Sequence, residues 1–192
     1  GIALALVALE PGGARAAGNA TPDSVRYVLA ISDVNRLGVS VSNYGFFGNN
    51  FGSRSPSFEF PLGSGYEHLA RAGLWVGAKA VSDAGPFIGV SAAVVDNAQG
   101  MGGPSETEFT PAGRTVSRRS RIQNSPDYSP LAVSDLDIDC AYSDRPARGS
   151  SGAQTEPHTP LGILVHQRTL GFSVEAAAGF VVAQFTIVNL GQ

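Results

Sequence analysis

Asp135, Asp137 and Asp139 alternate with Leu136, Ile138 and Cys140. On an extended strand alternate side chains share a face, so three carboxylates would converge on one side and offer oxygen ligands to Ca²⁺. Their spacing matches the opening of an EF-hand loop. However, Cys140 stands where that loop needs its turn glycine, and Pro146 where it needs a bidentate glutamate. A calcium site on Asp135, Asp137 and Asp139 would therefore need ligands from a neighbouring loop. The competing expectation, which the alternation favours, is a solvated carboxylate face with Leu136, Ile138 and Cys140 turned to the core. Asp96-Asn97, ahead of a glycine-rich stretch, is a poorer oxygen cluster.

Glu106 and Glu108 are two apart, the arrangement that puts two carboxylates on one strand face and could serve glycoside hydrolysis. Ordinary surface charge explains the pair better. The histidines His68, His158 and His166 are scattered, and the chain has no H-E-x-x-H, no G-x-S-x-G, no phosphate-binding glycine loop and no Cys/His metal spacing. Catalytic residues can converge from distant positions, but nothing local points to an enzyme. A noncatalytic chain without a cofactor is expected, Ca²⁺ being the one ion its residues suggest. Cys140 is the single cysteine, so no intrachain disulfide can form. No neighbouring cation is evident to activate its thiol, and a buried, inert side chain is expected.

Aromatic rings crowd the stretch Tyr44, Phe46, Phe47, Phe51, Phe58, Phe60 and Tyr66, among glycines and asparagines. Exposed rings there could stack on sugars or dock another chain, whereas packing over one end of a sandwich would avoid an unusually large apolar patch. Packing is the favoured expectation; if the region binds a ligand, Tyr44, Phe46, Phe47 and Trp75 are the residues to do it. Trp75 lies between Gly73 and Gly77 and is expected in the core of a strand whose glycines permit close approach. Arg118, Arg119 and Arg121 form the one basic cluster; a strand would place Arg119 and Arg121 together and Arg118 opposite. With 13 basic and 16 acidic residues the net charge is −3, which offers no electrostatic footprint for nucleic acid.

The elements that must position these residues are strands. Gly 24, Pro 12 and 15% charged residues describe a turn-rich chain, and 43% hydrophobic content supports a core. Alternation dominates and helical periodicity is almost absent. One hairpin is expected from Val25–Ile31 and Leu37–Asn43, and a second from Ala70–Val81 and Phe87–Val95, turning at Ser82-Asp83-Ala84-Gly85-Pro86. Glu106–Thr110 and Arg114–Gln123 read as more exposed strands, Asp144–Pro160 as a long loop, and Gly162–Val174 with Gly179–Leu190 as a final hairpin. Phe185 and Ile187 should enter the core from that last, most β-prone strand, which is expected to be central. The fold class is therefore all-β, an antiparallel two-sheet β-sandwich with long loops and an incomplete carboxy-terminal edge. Ile2 to Leu9 is an apolar run well short of the about 18 residues of a membrane span, and the small residues Ala14 and Ala16 suit a signal peptidase. Residues 1–16 read as a signal-peptide remnant and 17–192 as a single domain, truncated at its carboxy terminus.

Asn43-Tyr44-Gly45-Phe46-Phe47-Gly48, Phe60-Pro61-Leu62-Gly63-Ser64-Gly65, Ala72-Gly73-Leu74-Trp75-Val76-Gly77, His158-Thr159-Pro160-Leu161-Gly162-Ile163 and Phe185-Thr186-Ile187-Val188-Asn189 occur in that order. The ordered set resembles the amino-terminal region of large secreted bacterial surface proteins that often end in a type IX secretion sorting domain or a related immunoglobulin-like module. The resemblance spans residues 25–190. It implies an exported, surface-associated or released multidomain protein whose partners are its own downstream domains and, beyond them, a surface glycan or protein. The expected role is a structural or adhesive module. The alternative is an accessory or glycan-binding, calcium-dependent module of a secreted carbohydrate-active or proteolytic enzyme.

Overall fold

A computed structural model describes residues 5–10, 27–52, 54–95, 107–113, 116–145 and 158–191, with residues 5–10 described through their backbone alone. It is all-β. One sheet runs in the order β1 (Ala5–Glu10), β13 (Val181–Asn189), β12 (Ile163–Gly171), β11 (Leu136–Ser143) and β10 (Ser117–Arg119), with β9 (Thr110–Pro111) also paired to β11. A second has the order β2 (Leu29–Ser32), β3 (Gly38–Ser42), β4 (Phe46–Phe47) and β6 (Ala72–Gly73), with β5 (Phe58–Glu59) on β3. β7 (Trp75–Ser82) and β8 (Gly85–Ala92) form a separate hairpin.

The two larger sheets share one core. Val39 and Val41 of β3 meet Ile138 and Cys140 of β11, Val165 of β12 and Phe185 of β13, and all are buried. Period-two alternation makes this possible, because each strand sends every second side chain inward. Phe185 and Ile187 do enter the core, as their strand pattern requires. Three expected hairpins form: β2 with β3, β7 with β8, and β12 with β13, the last joined through a short 3₁₀ turn at Glu175–Ala177. β13 is an interior strand, with β12 on one side and β1 on the other, while β12 stands at the middle of the path. The edge expected to stand open beside β13 carries β1, in parallel register from Ala5 opposite Ala183 to Glu10 opposite Val188.

The inward face of β12 corrects a simple hydropathy reading. It carries Ile163, Val165, Gln167 and Thr169, all buried. Gln167 is tolerated there because its Oε1 accepts a 2.8 Å hydrogen bond from the hydroxyl of Tyr142, itself fully buried. Burial pushes the Tyr142 phenol well above its ordinary value. The Tyr142 ring packs edge-on to Phe109 at 4.9 Å and lies against Gly45. A Cβ at residue 45 would come 2.7 Å from that ring, and its φ of +87° favours glycine as well.

The strand expected over Arg114–Gln123 is reduced to Ser117–Arg119, and the strand expected over Val25–Ile31 is β2, which begins at Leu29. Residues 1–4 and 11–16 of the leader, Asp96-Asn97 with the glycine-rich stretch after it, Glu106, and the interior of the loop expected at Asp144–Pro160 lie outside the described residues. Among the described residues no helix is long and apolar enough to cross a membrane.

Candidate functional site

The carboxylate row is the first candidate, and the structure gives it a different role from either expectation. Asp135 and Asp137 are buried, not solvated. Asp137 sits at the start of β11 and folds the preceding turn around itself: Oδ1 accepts from the backbone N–H and hydroxyl of Ser134, and Oδ2 from the N–H of Val133. Asp135 accepts from Arg121 Nε at 2.6 Å through one oxygen and from the N–H and hydroxyl of Ser173 at 2.7 Å through the other. Asp139 accepts from Arg168 Nε at 2.7 Å and Arg119 at 2.6 Å. Every oxygen of the three carboxylates thus has a protein donor, so a cation would have to displace an arginine or an amide. Among the described residues no group of three or more acidic, histidine or cysteine side chains could hold a metal ion. Burial alone would raise the Asp135 carboxyl, but the Ser173 and Arg121 hydrogen bonds outweigh it and hold the group below the usual carboxylate range.

The arginines complete this arrangement. Arg119 and Arg121 reach Asp139 and Asp135, and Arg118 turns the other way to Asp127 at 3.0 Å and to Asp33 and the Ile31 carbonyl of the second sheet. The cluster ties strands and sheets together. Cys140 is buried and free, and burial followed by the neighbouring Asp139 charge pushes its thiol up to about 12, which leaves it inert at neutral pH.

Three of the four residues singled out for ligand binding are corrected. Tyr44, Phe46 and Phe47 are buried and cannot present a stacking platform. Tyr27 covers Tyr44 and Phe46 at ring separations of 6.0 Å, and the Arg71 guanidinium lies 3.8 Å from the Phe46 ring centre. Packing thus accounts for these rings, as the larger contact area would favour.

Trp75 departs from the core placement expected of it. It is 67% exposed on the outer face of the β7–β8 hairpin. Register explains the difference: Trp75, Gly77, Lys79 and Val81 stand opposite Ala92, Val90, Ile88 and Pro86, and all of this set except the buried Ala92 is exposed to solvent. Val76, Ala80 and Phe87, on the opposite face, pack against the core. The outer face therefore displays Trp75, Val81 at 65%, Ile88 at 79% and Val90 at 49% exposure, with Lys79 as its charged member. The flanking glycines on which the core expectation rested do not bring a layer over Trp75, since Gly77 is itself exposed beside it. Beside β7, a groove of ≈ 830 Å³ is floored by Leu161, Ile163 and Ile187.

A buried polar network anchors this hairpin. The Ser91 hydroxyl, at the end of β8, donates to Asp144 Oδ2 at 2.8 Å. Asp144 also accepts the N–H groups of Leu161 and Ile163 at 2.6 and 2.9 Å, which ties the hairpin to the start of β12. Glu108 Oε2 accepts the N–H of Ala92 at 2.8 Å, while Oε1 lies 3.2 Å from His158 Nδ1. His158 Nε2 is 3.5 Å from Ser91 Oγ. Serine, histidine and carboxylate thus stand in the order of a hydrolytic relay, which no local motif revealed because the members are up to 67 positions apart. The Ser91 Oγ, however, is fully buried and its one proton is directed to Asp144. A nucleophile needs both access to substrate and a base that takes its proton, so the arrangement works as a clamp.

The exposed apolar face and the clamp beneath it are the features from which a functional reading must start. Comparison with family models, with curated proteins and with solved structures finds no match for this chain.

Proposed function

We propose that this chain is a noncatalytic, exported β-sandwich module that plays a structural or adhesive part in a larger bacterial surface or extracellular protein. The observation that carries this reading is the outer face of the β7–β8 hairpin: Trp75, Val81, Ile88 and Val90 are exposed together on a hairpin held rigidly by Ser91, Asp144, Glu108 and His158. A contiguous exposed apolar patch of a few hundred Å² marks an interaction surface, and a fixed backbone lowers the entropy lost on docking. Its partners on this reading are downstream domains of the same chain and a protein or glycan at the cell surface. Export is supported by the apolar run followed by the small residues Ala14 and Ala16, and by the resemblance of the ordered segments to those of secreted bacterial surface proteins. The buried Ser91 supports a noncatalytic role.

Expression with a complete native leader in an exporting host tests the reading. The expected product lies outside the cytoplasm, lacks residues 1–16 and is retained on a purified envelope fraction, and Trp75→Ala/Ile88→Ser abolishes that retention. A cytoplasmic product that keeps the apolar run, or equal retention of the variant, overturns it. The exposed Trp75 indole also favours a second reading, a glycan-binding accessory module, since a flat ring can stack on a sugar face. Saturable quenching of Trp75 emission by oligosaccharides would select it.

A further inference from the structure

We infer that the outer edge of β13 is a strand-acceptor site, which takes an extended, predominantly apolar segment of a partner polypeptide in parallel orientation. Two strands of the first sheet make the case by contrast. β10, at one end, is three residues long and carries Arg118 and Arg119, the short and charged form that keeps an edge from pairing. β13 has none of those devices: Val181-Val182-Ala183-Gln184-Phe185-Thr186-Ile187-Val188 holds no charge and no proline over its length. An edge of that composition left open would recruit any extended chain, so its sequence is that of a strand paired on both sides.

The structure contains such a pairing. Residues 5–10 lie along β13 with six residues in register, and every other pairing between named strands is antiparallel. The seated segment, Ala-Leu-Val-Ala-Leu-Glu, shows what the edge accepts: a short apolar strand contributed from far away in sequence. It also belongs to the leader. The inference rests on the export reading at this point, because removal of residues 1–16 vacates the edge and leaves β13 to pair with a partner strand by backbone hydrogen bonds.

The test uses the full chain with Leu6→Pro/Val7→Pro. Neighbouring positions are chosen because N–H groups of successive strand residues point to opposite sides, so one proline must remove a bonding donor. Amide exchange across residues 181–189 is then followed with and without a synthetic peptide of residues 2–10 bearing a Lys-Lys tail. The variant is expected to lose about tenfold or more of the protection at alternate β13 amides, and the peptide to restore it saturably. The unsubstituted chain should bind the same peptide at least about tenfold more weakly, since its own strand competes. Leu6→Gly/Val7→Gly, which keeps the donors but weakens the strand, should show the same pattern to a smaller degree if the proline variant fails to fold. Unchanged β13 protection in these variants, absence of peptide binding, peptide protection elsewhere only, or a β13–β13 dimer that the peptide does not dissociate would each overturn the inference. Sequencing the mature amino terminus separates this failure from failure of the export reading, which does not depend on peptide binding.

Discussion

The paired strands β11–β12 and the hairpin β7–β8 treat polarity in opposite ways. The first buries Asp137, Gln167 and Thr169, while the second exposes Trp75, Val81, Ile88 and Val90. Both are antiparallel pairs with two-residue alternation, so strand geometry does not separate them. What separates them is the layer available on each side. β11 and β12 lie in the middle of a sheet covered by the second sheet, and polar groups trapped there are mostly held by built-in partners: Ser134 and Val133 for Asp137, Tyr142 for Gln167. β7–β8 is a two-stranded sheet with one face on the core and nothing of the described chain on the other. Polarity follows from what covers a face, and the outer face of the hairpin is the one that the described chain leaves uncovered.

The contrast can be broken or sharpened by substitution. Phe185→Ala, in the shared core, should cost about 3–5 kcal/mol, read from the denaturant midpoint, because a large buried ring leaves a cavity. Next in size is Asp137→Ala, which strands the two amides and the hydroxyl that the carboxylate accepts; a loss of about 3 kcal/mol is expected. Millimolar Ca²⁺ or a chelator should leave the Tm of the parent chain unchanged, because the carboxylates already have protein donors. A calcium-dependent rise in Tm, lost in Asp137→Ala, would return Asp135, Asp137 and Asp139 to the role of metal ligands.

Acid should weaken the buried polar side of the comparison more than the hairpin. The folded Asp135 carboxyl titrates below its unfolded value, so its contribution is fully present above about pH 4 and is lost as pH falls through the lower folded value. Thermal unfolding as a function of pH should therefore show a steeper acid limb in the parent than in Asp135→Asn. Equal limbs would show that Arg121 and Ser173 do not favour the ionised form.

A smaller effect of opposite sign is expected at Thr169, whose Oγ1 is buried without a hydrogen-bond partner among the described residues. Thr169→Val keeps the shape and removes the stranded hydroxyl, and should raise stability by about 1 kcal/mol. Smallest of all is the hairpin surface. Trp75→Ala and Ile88→Ser should each change stability by less than about 1 kcal/mol, because both side chains are mainly exposed. They should still reduce binding of a hydrophobic dye to the native state. A large loss of stability would mean that this face is covered, and the contrast between the two regions would fail.

Alternation by itself determined the all-β class, three of the hairpins and the burial of Phe185 and Ile187, because a period of two reports directly which side chains share a face. The burial of Cys140 and the opposed directions of Arg119 and Arg118 were legible for the same reason. Tertiary structure decided the rest. Trp75 and Val76 are neighbours that can each fill a core, and the position of the core selects Val76 as the inward one. For the carboxylates at 135, 137 and 139 the sequence favours a solvated face over calcium, and Arg119, Arg121, Arg168 and Ser173, which arrive from other parts of the chain, give Asp135 and Asp139 protein partners instead. No local pattern joins Ser91, Glu108, Asp144 and His158, and the spacing of Glu108 from Glu106 suggests surface charge, because their meeting depends on long-range pairing of strands. A local pattern fixes which residues share a face, whereas the partner opposite that face is set by chain segments far away in sequence, and it is the partner that decides between core, clamp and exposed surface.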